Sequence, residues 1–173
     1  MAEYVWYVSY GSNMLKDRFM HYIEGGSFEG GGGCHRVCAD TSAPREVRAY
    51  DIPYDMYFGQ RSGSWGGKGV SFLDLSRPGF AKGVAYLITR QQFEHVAKEE
   101  NGGIEPEYSG WYNKVVKLGT MSGHDVVTIT NDEGVYSNDP SEAYLDVLAR
   151  GLEENYPEMS RDEIDSYLAG CVR

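Results

Sequence analysis

The opening segment constrains this chain more than any other. Tyr4 to Ser9 is β-branched and aromatic, the composition of a buried strand. It stops abruptly at Gly11-Ser12-Asn13, a trio that forms turns. Met14, Leu15, Arg18, Phe19, Tyr22 and Ile23 then recur at helical spacing until Gly25-Gly26 ends the pattern. A strand, a tight turn and a helix in this order set backbone N–H groups side by side near the positive end of a helix dipole. That arrangement suits a carboxylate or a phosphate.

The rest of the chain predicts mixed α and β elements without regular alternation, which argues against a doubly wound sheet. From about residue 25 to residue 67 the sequence is rich in glycine, with Gly30 to Gly33 in a row and prolines at 44 and 53. It predicts a long loop interrupted by one short strand near Asp55 to Gly59. The glycine run lacks the Lys-Ser/Thr ending of a phosphate loop. Strands are expected at Gly69 to Leu73 and Lys82 to Ile88, with a turn through Pro78-Gly79 between them. Thr89 and Gln92 have capping-box spacing and start a helix that runs out at Glu99-Glu100-Asn101. Further strands are expected near Tyr112 to Leu118 and Asp125 to Thr130. Asp139-Pro140 is read as the cap of a penultimate helix, and Ser160 with Glu163 as the box opening the last one.

At 173 residues with 41% hydrophobic content, the chain suits one domain with a real core, spanning 1–173. The formal net charge of −10, from 26 acidic and 16 basic side chains, disfavours general binding to nucleic acid. No apolar stretch approaches the roughly 20 residues that span a bilayer, and the first residues do not resemble a secretion signal. A cytoplasmic location is therefore expected. The run Cys34-His35-Arg36-Val37-Cys38 lacks a second ligand pair at matching spacing, so free thiols and no metal are expected.

Tyr10-Gly11-Ser12-Asn13-Met14, after an aromatic strand, resembles the signature of the γ-glutamylcyclotransferase superfamily. Gly83-Val84-Ala85-Tyr86-Leu87-Ile88-Thr89 resembles the family strand before a helix ending in a catalytic Glu. Pro140-Ser141-Glu142-Ala143-Tyr144, with Gly151 beyond, resembles its C-terminal pattern. The resemblance implies an α+β fold: a mixed β-barrel of about five to seven strands with flanking helices. It also implies an enzyme that releases 5-oxoproline from a small γ-glutamyl amine or amino acid, without metal or organic cofactor. The substrate's own α-amine attacks its γ-carbonyl, and one carboxylate moves the proton.

By that resemblance Glu100 is the base, with Glu99 its neighbour and rival. Tyr10, Gly11, Ser12, Asn13 and Met14 belong to the substrate pocket. Family members place a tyrosine a few residues after the Glu, whereas here Ile104 to Trp111 intervene, leaving Tyr108 or Tyr112 to face the pocket. Tyr144 either closes the pocket or packs in the core. The alternatives are a metabolite-binding module without turnover, and an interaction domain using Trp65 and Trp111.

Overall fold

The computed structural model describes residues 2–173. Strand β1 (Tyr4–Ser9) lies at the centre of a five-stranded sheet, where its aromatic and β-branched side chains are buried on both faces. It pairs antiparallel with β5 (Lys68–Thr89) and parallel with β7 (His124–Thr130). Strand β4 (Val47–Ser62) lies beyond β5, and β6 (Lys114–Met121) lies beyond β7. Two short strands, β2 (Gly26–Ser27) and β3 (Cys34–His35), make a separate ribbon.

The short strand expected near Asp55 to Gly59 is present, but as part of a longer one that replaces the loop expected on either side of it from 47 to 62. This 16-residue strand follows β5 along most of that strand's length. Pro53 is accommodated where the pairing shifts between Ile52 and Tyr54, since proline can give no ladder hydrogen bond. The turn expected at Pro78-Gly79 is instead a bulge within the 22-residue β5. Asp55 pairs with Asp74 while Tyr54 pairs with Pro78, so Leu75, Ser76 and Arg77 are extra residues on one strand. Asp74 secures that bulge by accepting from the Ser76 amide and hydroxyl at 3.0 and 2.6 Å.

The ladder is strongly curved but does not close, so the expected barrel is an open sheet. β4 and β6 remain its two edges, and the Thr130 hydroxyl at the end of β7 accepts from the Leu73 amide (2.9 Å) across the curl.

Helix α1 (Lys16–Glu24) follows the first turn, and α2 (Arg90–Glu100) follows β5. The Thr89–Gln92 capping box forms as its spacing predicts. Helix α3 (Glu142–Asn155) starts two residues later than Asp139-Pro140 suggests. Ser141 is the cap, accepting from the Tyr144 amide, while the Asp139 carbonyl accepts from Gly69. Helix α4 (Arg161–Gly170) opens with the Ser160–Glu163 box. No helix among the described residues is long and apolar enough to cross a membrane.

Packing fixes the turn between β1 and α1. Phe19 stacks on Tyr86 with ring centroids 4.2 Å apart. The Tyr86 hydroxyl donates toward the carbonyls of Asn13 (2.6 Å) and Met14 (3.2 Å). Gly151 lets α3 approach the same turn, because a Cβ there would meet the Leu15 amide nitrogen at 2.8 Å.

Candidate active site

Ser12–Met14 form one turn of 3-10 helix, pinned by Met14 N–H to Gly11 O (3.0 Å). As the first residues of that turn, Ser12 and Asn13 have amides with no preceding turn carbonyl to bond. The Asn13 side chain reaches across to α2 and donates from Nδ2 to Glu100 Oε1 at 2.7 Å. The motif turn and the end of α2, remote in sequence, thus meet at one carboxylate.

A cavity of about 650 Å³ opens here. It joins a narrow inner recess, and Ser12, Glu100, Tyr112 and Tyr144 line both. Glu100 is half-buried by surface exposure, with its carboxyl set deep among protein atoms at the cavity wall. Burial pushes its carboxyl up to about 7, against the opposing pull of the Arg18 guanidinium and the hydrogen bonds of Tyr22 and Asn13. Its place in the last turn of α2, at the negative end of the helix dipole, also disfavours the charged form.

The adjacent Glu99 is placed differently. Its Oε1 accepts from the Arg36 amide at 2.8 Å and lies 3.7 Å from His35 Nδ1, so this carboxylate fastens the segment around β3. The His35 ring stacks on Tyr22 at 3.8 Å. Burial and Arg18 hold His35 down at about 4, so it is neutral near pH 7. Among the described residues no group of three or more His, Cys, Asp or Glu side chains is placed to hold a metal ion.

Tyr112 reaches the cavity despite the insertion before it. Asn101 ends α2 and staples the inserted segment back: its Oδ1 accepts from the Tyr112 amide (2.8 Å) and the Ser109 hydroxyl (2.7 Å), while Nδ2 donates to Tyr112 O (3.0 Å). Tyr112 then donates its hydroxyl to Ser71 O at 2.9 Å, whereas Tyr108 is 78% exposed and stays outside. Tyr144 is buried and accepts from the Ser71 amide at 3.1 Å, with the Ser71 hydroxyl also 3.1 Å away. It both packs and lines the cavity, and burial pushes its phenol up to about 12. Gly11 makes room for it, since a Cβ at Gly11 would lie 2.8 Å from the Tyr144 hydroxyl oxygen.

Two motif residues do not present a functional group to the cavity. Tyr10 lines the recess, but its hydroxyl donates to Ile129 O at 2.6 Å. The Met14 side chain is fully buried in the core and lines neither cavity nor recess. Motif reading alone overlooks Asn101, Tyr86 and Arg18. Only Arg18 leaves a signal in the sequence, as a charge within the apolar stripe of α1.

The fold has solved counterparts. A gamma-glutamyl cyclotransferase superimposes with a TM-score of 0.65 at 19% identity, covering 95% of this chain and 88% of the other. The chain has the γ-glutamylcyclotransferase-like fold. The uncharacterized protein loc79017 from Homo sapiens matches with a TM-score of 0.64 at 20% identity, over 95% of this chain and 88% of its own. YkqA from Bacillus subtilis has a TM-score of 0.59 at 17% identity, covering 98% of this chain and 56% of its own. At these identities the likeness is one of γ-glutamylcyclotransferase-like architecture. No family model matches the sequence. Histone deacetylase 5 of Arabidopsis thaliana is 30% identical over 206 aligned positions, which cover 97% of this chain; the chain spans only 31% of that relative's length.

Proposed function

We propose that this chain is a γ-glutamyl cyclotransferase-type enzyme releasing 5-oxoproline from a small γ-glutamyl compound. One observation carries the reading: a desolvated carboxyl, Glu100, faces a cavity and accepts a hydrogen bond from the Tyr-Gly-Ser-Asn turn. A base that titrates near 7 suits proton transfer at neutral pH far better than an ordinary glutamate at about 4.3.

In this mechanism the substrate's α-carboxylate lies on the Ser12 and Asn13 amides. Glu100 takes a proton from the α-ammonium, and the freed amine attacks the γ-carbonyl carbon. The new N–C bond closes a five-membered ring, and collapse of the tetrahedral intermediate breaks the original amide bond. The ring nitrogen gives up its second proton as the bond breaks, and with the proton returned by Glu100 it leaves the departing amine as an ammonium, so no group is consumed. Nucleophile and electrophile share one substrate molecule, so holding that molecule folded is worth, in favourable cases, effective molarities of about 10⁵ to 10⁸ M.

The test is to incubate the protein with γ-glutamyl amines and γ-glutamyl dipeptides and measure 5-oxoproline by mass spectrometry. Product from at least one substrate supports the enzyme. Ligand-induced stabilisation without product from any of them replaces it with a binding module.

A further inference from the structure

Arg18 is the side chain that the scheme above leaves unexplained. It is 1% exposed, and only its Nη2 finds partners: Gly32 O at 3.0 Å and the Tyr22 hydroxyl, one helical turn away, at 3.4 Å. Nε and Nη1 are buried without any partner. A guanidinium cannot shed its proton, so a buried one needs a counter-charge or acceptors for all its donors. A strut that merely held the glycine-rich segment would be satisfied by carbonyls, and this one is not.

Among the described residues no carboxylate bonds to the unmet nitrogens, although Glu100 is near enough to feel the Arg18 charge. Glu100 is held by Asn13 and, with its carboxyl pushed up to about 7, is a poor permanent counter-ion. Glu99 is engaged with the Arg36 amide, and His35 is neutral with its buried Nε2 also unpartnered. Arg36 and Arg61 stand on the same cavity wall. In a chain of net charge −10, one cavity gathers three arginines. Arg18, Arg36 and Arg61 all line the outer cavity and none lines the inner recess beside Gly11.

Building on the proposed reaction, we propose that the Arg18 side of the cavity is a subsite for a carboxylate on the leaving-group half of the substrate. The enzyme then acts on γ-glutamyl conjugates of amino acids or peptides in preference to γ-glutamyl amines. The substrate carries two carboxylates with separate partners: the glutamyl one on the turn amides, the other on the unmet nitrogens of Arg18. A carboxylate oxygen accepting from Nε or Nη1 supplies a charge-assisted hydrogen bond and the missing counter-charge.

The experiment compares γ-glutamylalanine with γ-glutamylalaninamide, which have the same scissile bond and differ in one charge. Wild-type protein should process the acid about 100-fold better in kcat/KM, as expected when a buried donor set is left unmet. Arg18→Met, checked for folding by circular dichroism, should bring the two substrates to within a few-fold. Equal turnover of acid and amide by the wild type overturns the subsite. So does a preference that survives in folded Arg18→Met. If the alaninamide loses as much as the acid in Arg18→Met, Arg18 holds the glutamyl carboxylate and the leaving-group assignment falls. Should Arg18→Met not fold, the wild-type comparison decides, with Arg61→Gln expected to narrow it. If neither compound yields 5-oxoproline, the reaction is wrong but the subsite is still decided by calorimetry: tighter binding of the acid upholds it, and equal binding overturns it.

Discussion

The two walls of the cavity are built on different terms. The inner wall comes from the turn after β1, the start of β5, the end of α2 and the face of α3. Long-range hydrogen bonds from Tyr86, Tyr112, Tyr144 and Asn13 lock it. The outer wall, around residues 31–36 and 61–65, is assembled from short pieces: the two-residue β3, the end of β4 and one 3-10 turn at Gly63–Trp65. Among its attachments are Glu99 to the Arg36 amide, Arg18 to Gly32 O, and the His35–Tyr22 stack. Glu99 and Glu100 divide between the two walls, one holding the cover and the other facing the cavity. The lesson is that adjacent carboxylates at one helix end receive different chemistry from what their oxygens touch.

The largest expected effect breaks that comparison outright. Glu100→Gln keeps an oxygen for Asn13 and should fold, yet lose about 10² to 10⁴-fold in kcat, the usual contribution of a positioned general base. Assay of 5-oxoproline with the best substrate checks it, and retained turnover would remove Glu100 from the mechanism.

Stability should report the same carboxyl. Its folded value near 7 lies above the ordinary 4.5, so the folded state holds the proton more tightly. The stability this confers is complete below about pH 4.5 and is lost as pH rises through 7, a change of up to about 3 kcal/mol. Urea unfolding between pH 4.5 and 8 reads it as a difference: His35, held down at about 4, adds a rise below about pH 6.5 in both proteins, and the wild type should lose stability relative to Glu100→Gln across the window. Similar slopes in both would mean that burial of Glu100 is not being felt.

The inner wall should also be brittle. Gly151→Ala drives a Cβ toward the Leu15 amide and should cost about 1–3 kcal/mol. Tyr144→Phe leaves the Ser71 amide without its acceptor, for about 1–2 kcal/mol. Denaturant midpoints read both, and unchanged midpoints would show the wall to be looser than its hydrogen bonds imply. The smallest effect belongs to Glu99→Gln. Its amide oxygen can still accept from Arg36, so turnover should change by no more than a few-fold. A loss matching that of Glu100→Gln would exchange the roles of the two residues.

The difference between the walls also explains what could be read in advance. The β1–turn–α1 unit and the capping boxes at Thr89 and Ser160 rest on local spacing, and they formed as that spacing predicts. The Asp139-Pro140 cap misled because Ser141 offers an equally good oxygen one turn before Tyr144 N. Only the Asp55 to Gly59 part of β4 is legible, because Pro53 and its neighbouring charges mask the rest of a strand whose partner, β5, supplies the pairing. Tyr86 and Asn101 act through bonds to residues distant in sequence, which periodicity does not register. Arg18 was visible as a misfit in an apolar stripe, but only the unmet nitrogens show what kind of misfit it is.

The central claim, that the cavity holds a carboxyl tuned for proton transfer, is tested most directly by titrating Glu100 itself. Protein carrying ¹³C-glutamate, with Glu100→Gln used to assign the signal, would be followed by NMR across pH 3 to 9. The account predicts a side-chain midpoint near 7. A midpoint near the ordinary 4.5 would contradict it, because the carboxyl would then be solvated and poorly suited to moving the substrate's proton.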